Sequence, residues 1–250
     1  MDRGFAELIN ILGAFCGKRD ISTLKGSCLQ NKYGFSRADV MVLFGGSILA
    51  GGDVLAQAIH AGIARKYIIV GGNGHTTETL RSTVRREYPQ IRTAGLPEAM
   101  IFQNYLRKVY GLEADYLETE STNCGNNVTN LLALMNDMGI QHRNIVLCQD
   151  ASMQLRMDAG MRKYASDDMV IINYAAYAAK LVCKGNGLAY EEDIHGMWNI
   201  DRYINLLMGE IPRLKDDRNG YGPMGSGFIA HVDIPTDVIL AFEALKNVYG

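Results

Sequence analysis

The chain has 250 residues, of which 48% are hydrophobic and 21% are charged, and this ordinary globular composition argues against a disordered or fibrous protein. Its net charge of −2, from 25 basic and 27 acidic residues, argues against a nucleic-acid-binding protein that depends on a basic surface. No apolar run approaches the roughly 18 residues of a membrane span, and no charged-then-apolar leader pattern begins the chain. We therefore expect a cytoplasmic protein with no membrane span and no nucleic-acid partner.

The hydrophobic pattern predicts helices and strands that alternate along the chain. Residues 3–15 carry apolar side chains at helical spacing, and residues 16–37 are typical of a loop with a short helix. The predicted strands are short and apolar, and most end in glycine or small polar residues: 38–46, 66–72, 115–120, 144–150 and 169–174. The other predicted helices are 53–64, 77–88, 97–110, 124–139, 153–165, 198–209 and 236–250.

Strands that alternate with helices in this way form βαβ units. The sequence therefore predicts a doubly wound α/β fold, with a mostly parallel sheet and helices on both of its faces. We divide the chain into an N-terminal helix and loop (1–37), an α/β core (38–194) and a helical, turn-rich C-terminal extension (195–250). The extension is too short for a core of its own, so we expect it to pack on the α/β core as part of a single domain.

The cysteine, histidine and glycine contents constrain the chemistry. The five cysteines are widely spaced and form no CxxC pair, so we expect reduced thiols rather than disulfides or a thiolate metal site. The five histidines show no HxxxH or HExxH spacing, so no metal site is predicted. Glycine is abundant, at 27 residues, whereas proline is scarce, at 5, which indicates tight turns inside an ordered fold.

The predicted fold indicates where a ligand should bind. In open parallel sheets, ligands sit at the carboxyl ends of the strands, where the loops into the next helices gather. Each helix start there offers unpaired N–H groups and a positive dipole end, which suit phosphate or carboxylate. The candidate ligand-binding residues in these loops are Gly45, Gly46, Ser47, Gly71, Gly72, Asn73, Gly74, Ser121, Thr122, Asn123, Asn127, Gln149, Asp150 and Arg156.

Two further residues are candidates for catalysis. In the GGNGH loop at 71–75, glycines without Cβ atoms let a ligand approach the backbone, and His75 brings a titratable imidazole to the same rim. The alternative is a tight turn with a surface histidine. Glu98 follows a proline at a predicted helix start, where it is either an acid–base group at the pocket or only a favourable partner of the helix dipole.

Other residues of the loops also have two interpretations. The loop at 121–127 holds five hydrogen-bonding side chains, which is more than a helix cap needs and favours ligand contact. Cys124 within it is either a nucleophile activated by the helix dipole or a spectator thiol. Arg156 either clamps an anion or pairs with Asp150 or Asp158.

Well-known fingerprints are missing. No GxGxxG follows the first strand, and neither GxxxxGK[ST] nor GxSxG occurs. Dinucleotide dehydrogenases, P-loop nucleotide hydrolases and Ser–His–Asp hydrolases are therefore disfavoured.

As a set, four motifs resemble the bacterial SanA/ElyC/YdcF family, which is built on a domain of unknown function. They are GGNGH at 71–75, Glu98 in LPEAM, ESTNCGNN at 120–127 and QDASMQLR at 149–156. Residues 196–235 resemble the YdcF branch in particular, and the whole resemblance extends over the chain from about residue 38. It implies a Rossmann-like fold with a ligand pocket over the strand ends and, for the YdcF branch, S-adenosylmethionine held across the glycine loops.

Two departures bear on what this resemblance implies. The chain lacks the acidic-Gly-x-Gly-x-Gly loop of ordinary Rossmann-fold methyltransferases after its first strand, so methyl transfer is not implied. Cys124 and Asn126 stand where the wider family tends to have Thr and Glu, and this loss of a hydroxyl and a carboxylate weakens the case for hydrolysis.

Three hypotheses follow. The first is a protein that binds S-adenosylmethionine or a nucleotide-like small molecule over the strand ends. The second is a hydrolase or transferase that acts on a phosphorylated envelope or sugar substrate, with His75 or Glu98 as the acid–base group. The third is a regulatory scaffold with a vestigial pocket. The oligomeric state stays open.

Overall fold

The computed structural model describes residues 3–185 and 187–249. Its helices are α1 (Arg3–Cys16), α2 (Gly26–Tyr33), α3 (Ala50–Ala61), α4 (Thr77–Glu87), α5 (Glu98–Tyr105), α6 (Cys124–Asp137), α7 (Gln154–Tyr164), α8 (Ile200–Leu214) and α9 (Thr236–Tyr249). Its strands are β1 (Ala38–Phe44), β2 (Ala64–Val70), β3 (Tyr116–Glu118), β4 (Asn144–Cys148), β5 (Val170–Asn173), β6 (Leu181–Lys184) and β7 (Gly187–Tyr190). The last residue of the helix predicted over 236–250 lies outside the described residues.

Five strands form one parallel sheet in the order β3-β2-β1-β4-β5. The chain winds outward from β1 in one direction and then returns to the other side of β1, so the strand order reverses between β1 and β4. This topology confirms the predicted doubly wound, Rossmann-like α/β fold. By the general rule for such sheets, a ligand site is expected at the carboxyl ends of these two neighbouring strands.

The central strand β1 shows why the sheet needs helices on both faces. Val42 and Phe44 pack in a core under α6 and α7, whereas Met41 and Leu43 pack in the core on the opposite face with α3 and α5. All four side chains are almost completely buried. An apolar run without polar alternation is therefore the correct sequence signal for this strand.

The N-terminal helix and the C-terminal extension meet on one side of the core. Helix α1 contacts α7, α8, α9 and β6. The side chain of Asn10 in α1 pairs with the backbone of Leu181 in β6, donating at 2.9 Å and accepting at 2.7 Å. Apolar residues of α1, α8 and α9 belong to the same buried core as those of α3 and α5. The two ends of the chain are thus packed on the α/β core.

Three elements differ from the sequence prediction. An antiparallel hairpin, β6–β7, occupies a stretch for which no element was predicted. Helix α8 begins two residues later than predicted and runs to Leu214 rather than ending at 209, because Ile211 and Leu214 continue its buried face through Pro212. The helix predicted over 97–110 is α5 followed by a π-helical turn, Leu106–Tyr110.

None of the helices in the described part of the chain is long and apolar enough to cross a membrane.

Candidate functional site

The loops that follow β1, β2, β3 and β4 surround one cavity of about 440 Å³, which we call the strand-end cavity. Most of the residues predicted to form the site line it: Gly45, Gly71, Gly72, Gly74, His75, Glu98, Ser121, Thr122, Asn123, Asn127, Gln149 and Arg156. The predicted ligand contacts that lie outside its lining are Gly46, Ser47, Asn73 and Asp150. The structure therefore brings together residues that lie more than a hundred positions apart in the sequence.

Four helices begin at this cavity. The cap or first residue of each lines it: Thr76 for α4, Glu98 for α5, Cys124 for α6 and Met153 for α7. Helix starts carry a partial positive charge and N–H groups without an intrahelical partner, although in α5 the N–H groups of Glu98 and Ala99 already donate to Gly72 O and Gly71 O. The protein thus directs several positive dipole ends at the same space, an arrangement that favours a negatively charged group.

Glu98 lies at the base of the cavity as the first residue of α5 and is only 6% exposed. Its Oε1 accepts hydrogen bonds from Thr77 Oγ1 at 2.8 Å and from Thr76 Oγ1 at 3.1 Å. Burial raises the pKa of Glu98 above its usual value, and these hydrogen bonds and the charge of Arg81 only partly oppose that shift. A buried carboxyl group whose pKa is raised is a candidate for acid–base chemistry.

The glycines beside Glu98 make room for protein atoms. A Cβ on Gly45 would lie 2.5 Å from Glu98 Oε2, and one on Gly71 would lie 3.1 Å from Glu98 Cβ. A Cβ on Gly72 would overlap the Ser121 carbonyl oxygen. Gly74 differs, because its nearest contact would be a carbonyl oxygen at 3.5 Å. Of these four, only Gly74 leaves open space at the cavity wall.

Some side chains of the polar loop between β3 and α6 form hydrogen bonds with other protein groups. Asn123 caps α6, since its Oδ1 accepts from Asn126 N at 3.0 Å and its Nδ2 donates to Asn126 Oδ1 at 2.7 Å. Ser121 Oγ accepts from Gly72 N at 3.2 Å and joins this loop to the one after β2. Capping is therefore confirmed for Asn123, which lines the cavity as well.

In the loop after β4, Gln149 and Asp150 make different contacts. Gln149 Nε2 donates to Gly45 O at 3.2 Å and ties the loops of β1 and β4 together at the cavity. Asp150 accepts from Tyr177 OH at 2.6 Å and from Trp198 Nε1 at 3.2 Å. Burial and the adjacent Asp150 raise the pKa of Tyr177 well above its usual range. Asp150 thus connects the core to the chain leading into α8.

The remaining predicted residues outside the cavity are also placed by protein contacts. Asn73 Oδ1 accepts from Arg81 Nη2 at 2.7 Å. Gly46 lies next to the side chain of Gln149, and Ser47 is buried with no hydrogen-bond partner for its hydroxyl.

Helix α8 supplies a wall of the cavity that the sequence analysis missed. Arg202, Leu206, Glu210 and Arg213 all lie on it, and Tyr221 follows it in the chain. Glu210 falls among the buried apolar positions of α8, so a carboxylate on an otherwise apolar helix face was the available signal. A buried carboxylate needs a charged or hydrogen-bonding partner, and here the partner is Arg156.

Arg156 makes a two-point contact with Glu210, with Nε to Oε2 at 2.6 Å and Nη2 to Oε1 at 3.0 Å. Burial lowers the pKa of Arg156, but its interactions with Cys124 and Glu210 outweigh that effect and raise the pKa above its usual value. Arg213 Nη1 reaches the same Glu210 carboxylate at 3.2 Å. Arg202 lies over the Trp198 ring, 5.3 Å from its centroid, and is exposed. Arg156 therefore pairs with Glu210 and not with Asp150 or Asp158, the partners that the sequence suggested. The other interpretation, that Arg156 clamps an anion, stays a prediction.

The cavity therefore carries a surplus of positive charge. Three guanidinium groups line it together with two carboxyl groups, and the pKa of one of those carboxyl groups, Glu98, is raised by burial. His75 lies on the same rim and is exposed. Within residues 3–185 and 187–249, no three His, Cys, Asp or Glu side chains are grouped so that they could hold a metal ion. No protein-family model matches this chain.

Proposed function

We propose that this chain binds an anionic, nucleotide-like small molecule in the strand-end cavity. The observation that carries the proposal is the convergence of the starts of α4, α6 and α7 with the guanidinium groups of Arg202 and Arg213 on one space. Helix N-termini and arginine forks are the two protein features best matched to phosphate oxygens. A cavity of about 440 Å³ also falls within the range of small-molecule and cofactor sites.

Charge separates the candidate ligands. S-Adenosylmethionine carries a sulfonium and an ammonium group against one carboxylate, so it enters a positive cavity with an excess of positive charge. A nucleotide brings phosphate groups to the same arginines and helix starts. We therefore favour a phosphate-bearing nucleotide over S-adenosylmethionine, and we keep S-adenosylmethionine as the cofactor that the motif resemblance implies.

The motif resemblance supports the same location for the ligand. The four motifs shared with the SanA/ElyC/YdcF family contain Glu98, His75 and the loops around the cavity. Membership of that bacterial family, and the cytoplasmic location inferred from composition, belong to this proposal.

Thermal unfolding against a ligand panel tests it. The panel contains ATP, NAD, a sugar nucleotide, S-adenosylmethionine, S-adenosylhomocysteine and inorganic phosphate. A ligand at about a hundred times its dissociation constant stabilises the folded state by roughly 2.7 kcal/mol, which raises Tm by about 5–10 °C for a chain of this size. We expect the phosphate-bearing nucleotides to raise Tm most. A panel in which no nucleotide or adenosyl compound raises Tm would overturn the proposal.

A second candidate function is hydrolysis or group transfer on a phosphorylated envelope or sugar substrate. The raised pKa of Glu98 favours it, because Glu98 and His75 line the same positively charged cavity. A neutral Glu98 would donate a proton to a leaving oxygen, and its conjugate base would accept one from an attacking water.

Turnover of phosphate and sugar-phosphate esters by Glu98→Gln and His75→Ala tests this role. Glu78→Gln is the control, since Glu78 is an exposed carboxylate on α4 that pairs with Arg81 and Arg85. Loss of turnover in the Glu98 or His75 variant, with the fold and the Glu78 variant intact, supports acid–base catalysis. Equal turnover in all three variants and the wild type would remove it.

A further inference from the structure

A second cavity of about 430 Å³ adjoins the strand-end cavity. Its own walls are mostly apolar or aromatic, and we call it the aromatic cavity: Val128, Gly160, Tyr164, Tyr221, Phe228 and Ile229. The two cavities share Asn123, Cys124, Arg156 and Tyr221 as lining residues. The shared residues place the two cavities side by side.

Aromatic rings are available at this cavity. The rings of Tyr221 and Phe228 meet edge to face, with centroids 5.2 Å apart and planes at 75°. Phe228 is 58% exposed and Tyr164 is 46% exposed, although both are large and border a concave surface. A flat ring bound here would cover apolar surface that now faces water, and burial of such surface is favourable.

Helix α7 leaves the cavity open by carrying a glycine. Gly160 is buried in the middle of the helix, where alanine would be the more stable residue. A Cβ built on Gly160 would meet only Val128 Cγ2, at the ordinary contact distance of 3.6 Å. The backbone at this position therefore tolerates a methyl group, whereas a long side chain would extend into the cavity.

We propose that the aromatic cavity holds the base of the nucleotide-like ligand while its anionic end lies beside Arg202 and Arg213 in the strand-end cavity. The residues that the two cavities share include the polar side chains of Asn123 and Arg156, whereas the residues that line the aromatic cavity alone are mostly apolar or aromatic: Gly125, Val128, Gly160, Tyr164, Phe228 and Ile229. This polarity matches a molecule with a charged end and a flat apolar end. The inference rests on the proposed function and adds the orientation of the ligand.

Two substitutions alter the aromatic cavity without replacing an arginine. Gly160→Leu fills it, and Gly160→Ala is the matched control, because a Cβ fits at this position. Phe228→Ala removes an exposed ring, and Phe228→Tyr is the control that keeps a ring. Thermal unfolding without ligand verifies that each variant folds. Since Phe228 is largely exposed, its pair of variants provides the test even if Gly160→Leu does not fold.

Calorimetric titration with adenosine 5′-monophosphate and with ribose 5-phosphate measures the contribution of the base. In the wild type we expect the adenine-bearing compound to bind more tightly. We expect Gly160→Leu and Phe228→Ala to weaken its binding by roughly 5- to 100-fold, the range typical of a lost base-stacking contact. The affinity of these two variants for ribose 5-phosphate should stay within about twofold of the wild-type value. The control variants Gly160→Ala and Phe228→Tyr should bind both compounds within about twofold of the wild-type affinities.

Other outcomes distinguish the two proposals. If adenosine monophosphate binds the wild type and all four variants equally, the base lies elsewhere and this inference is wrong while the proposed function stands. Tighter binding of decyl phosphate than of adenosine monophosphate, lost in Gly160→Leu, would replace the base with an aliphatic chain. If no phosphate, nucleotide or adenosyl compound binds the wild type, both proposals are overturned.

Discussion

The Arg156 guanidinium donates two hydrogen bonds to the Glu210 carboxylate. This contact joins α7 of the core to α8 of the C-terminal extension. Only 13% of the Arg156 side chain and 3% of the Glu210 side chain are exposed, so the pair is almost removed from water. The same helix α8 carries Arg202 and Arg213. This contact therefore positions the two arginines that we assign to the anionic end of the ligand.

Removing the carboxylate from this pair should destabilise the fold strongly. Glu210→Ala leaves the Arg156 charge buried without its partner, which typically costs about 3–5 kcal/mol. Urea unfolding measures the loss. Glu113→Ala is the control, because the pair of Glu113 with Arg107 is exposed and should contribute little to stability. Similar losses in the two variants would contradict the structural role of Glu210.

Gly72 and Gly74 should respond very differently to the same substitution. Gly72→Ala places a methyl group against the Ser121 carbonyl oxygen, and overpacking of this kind typically costs about 1–3 kcal/mol. Gly74→Ala meets its nearest atom at 3.5 Å and should change the free energy of unfolding by less than about 0.5 kcal/mol. Chemical denaturation of both variants checks this. Equal effects would mean that the close contact at Gly72 is not a constraint on the fold.

Glu98→Gln should stabilise the protein in a pH-dependent way. The folded state raises the pKa of Glu98, mainly through burial, so it holds the proton more tightly than the unfolded chain does. The stabilising contribution is therefore fully present below the ordinary pKa of 4.5 and is lost as the pH rises through the raised value. Glutamine keeps an acceptor for the Thr77 hydroxyl and has no charge to bury.

Unfolding free energies of the wild type and Glu98→Gln across pH 4 to pH 8 test this sign. The variant should gain stability relative to the wild type as the pH rises, and the difference should shrink toward pH 4. A difference that is the same at every pH would show that Glu98 is not held with a raised pKa.

His195 should give a second pH dependence. Its Nδ1 lies 2.7 Å from Asp53 Oδ2 and its Nε2 lies 3.0 Å from Glu87 Oε2. Burial lowers the pKa of His195, but the hydrogen bonds and charges of the two carboxylates outweigh it and raise the pKa above 6.5. The contribution of His195 to stability is thus fully present below about pH 6.5 and is lost as the pH rises through the raised value.

Chemical denaturation of His195→Gln at pH 6 and pH 9 measures this contribution. The substitution should cost more stability at pH 6 than at pH 9. His60→Gln is the control, because the His60 ring contacts the Ala56 carbonyl oxygen rather than a carboxylate. An equal cost of His195→Gln at the two pH values would contradict the two-carboxylate contact.

The sequence alone was sufficient to predict the parallel sheet and the loops after its strands that line the strand-end cavity. Strands such as β1 are apolar throughout, and glycines and polar residues follow them, so periodicity and strand-end logic locate Gly45, Gly71, Glu98 and Ser121 correctly. Local signals of this kind depend only on neighbouring residues.

The side of the strand-end cavity that helix α8 lines could not be predicted in the same way. Arg202 and Arg213 reach the cavity because α8 lies beside loops, such as that at Gln149, more than fifty positions earlier in the chain, and no local pattern encodes that packing. The role of Gly72 was also hidden, since it depends on the backbone of Ser121 in another loop. The position of α8 at the cavity and the close contact at Gly72 both depend on tertiary contacts between segments that are distant in the sequence.

The most direct test of the account is calorimetric titration of ATP into the wild type, Arg202→Ala, Arg213→Ala and Arg65→Ala. Arg65 is an exposed arginine on β2, paired with Asp39 away from the strand-end cavity. We predict binding to the wild type and to Arg65→Ala with equal affinity. Each α8 variant should bind about 10- to 100-fold more weakly, as expected for a lost charge-assisted hydrogen bond. Equal affinity in all four proteins, or no binding to the wild type, would contradict an anionic ligand at the strand ends.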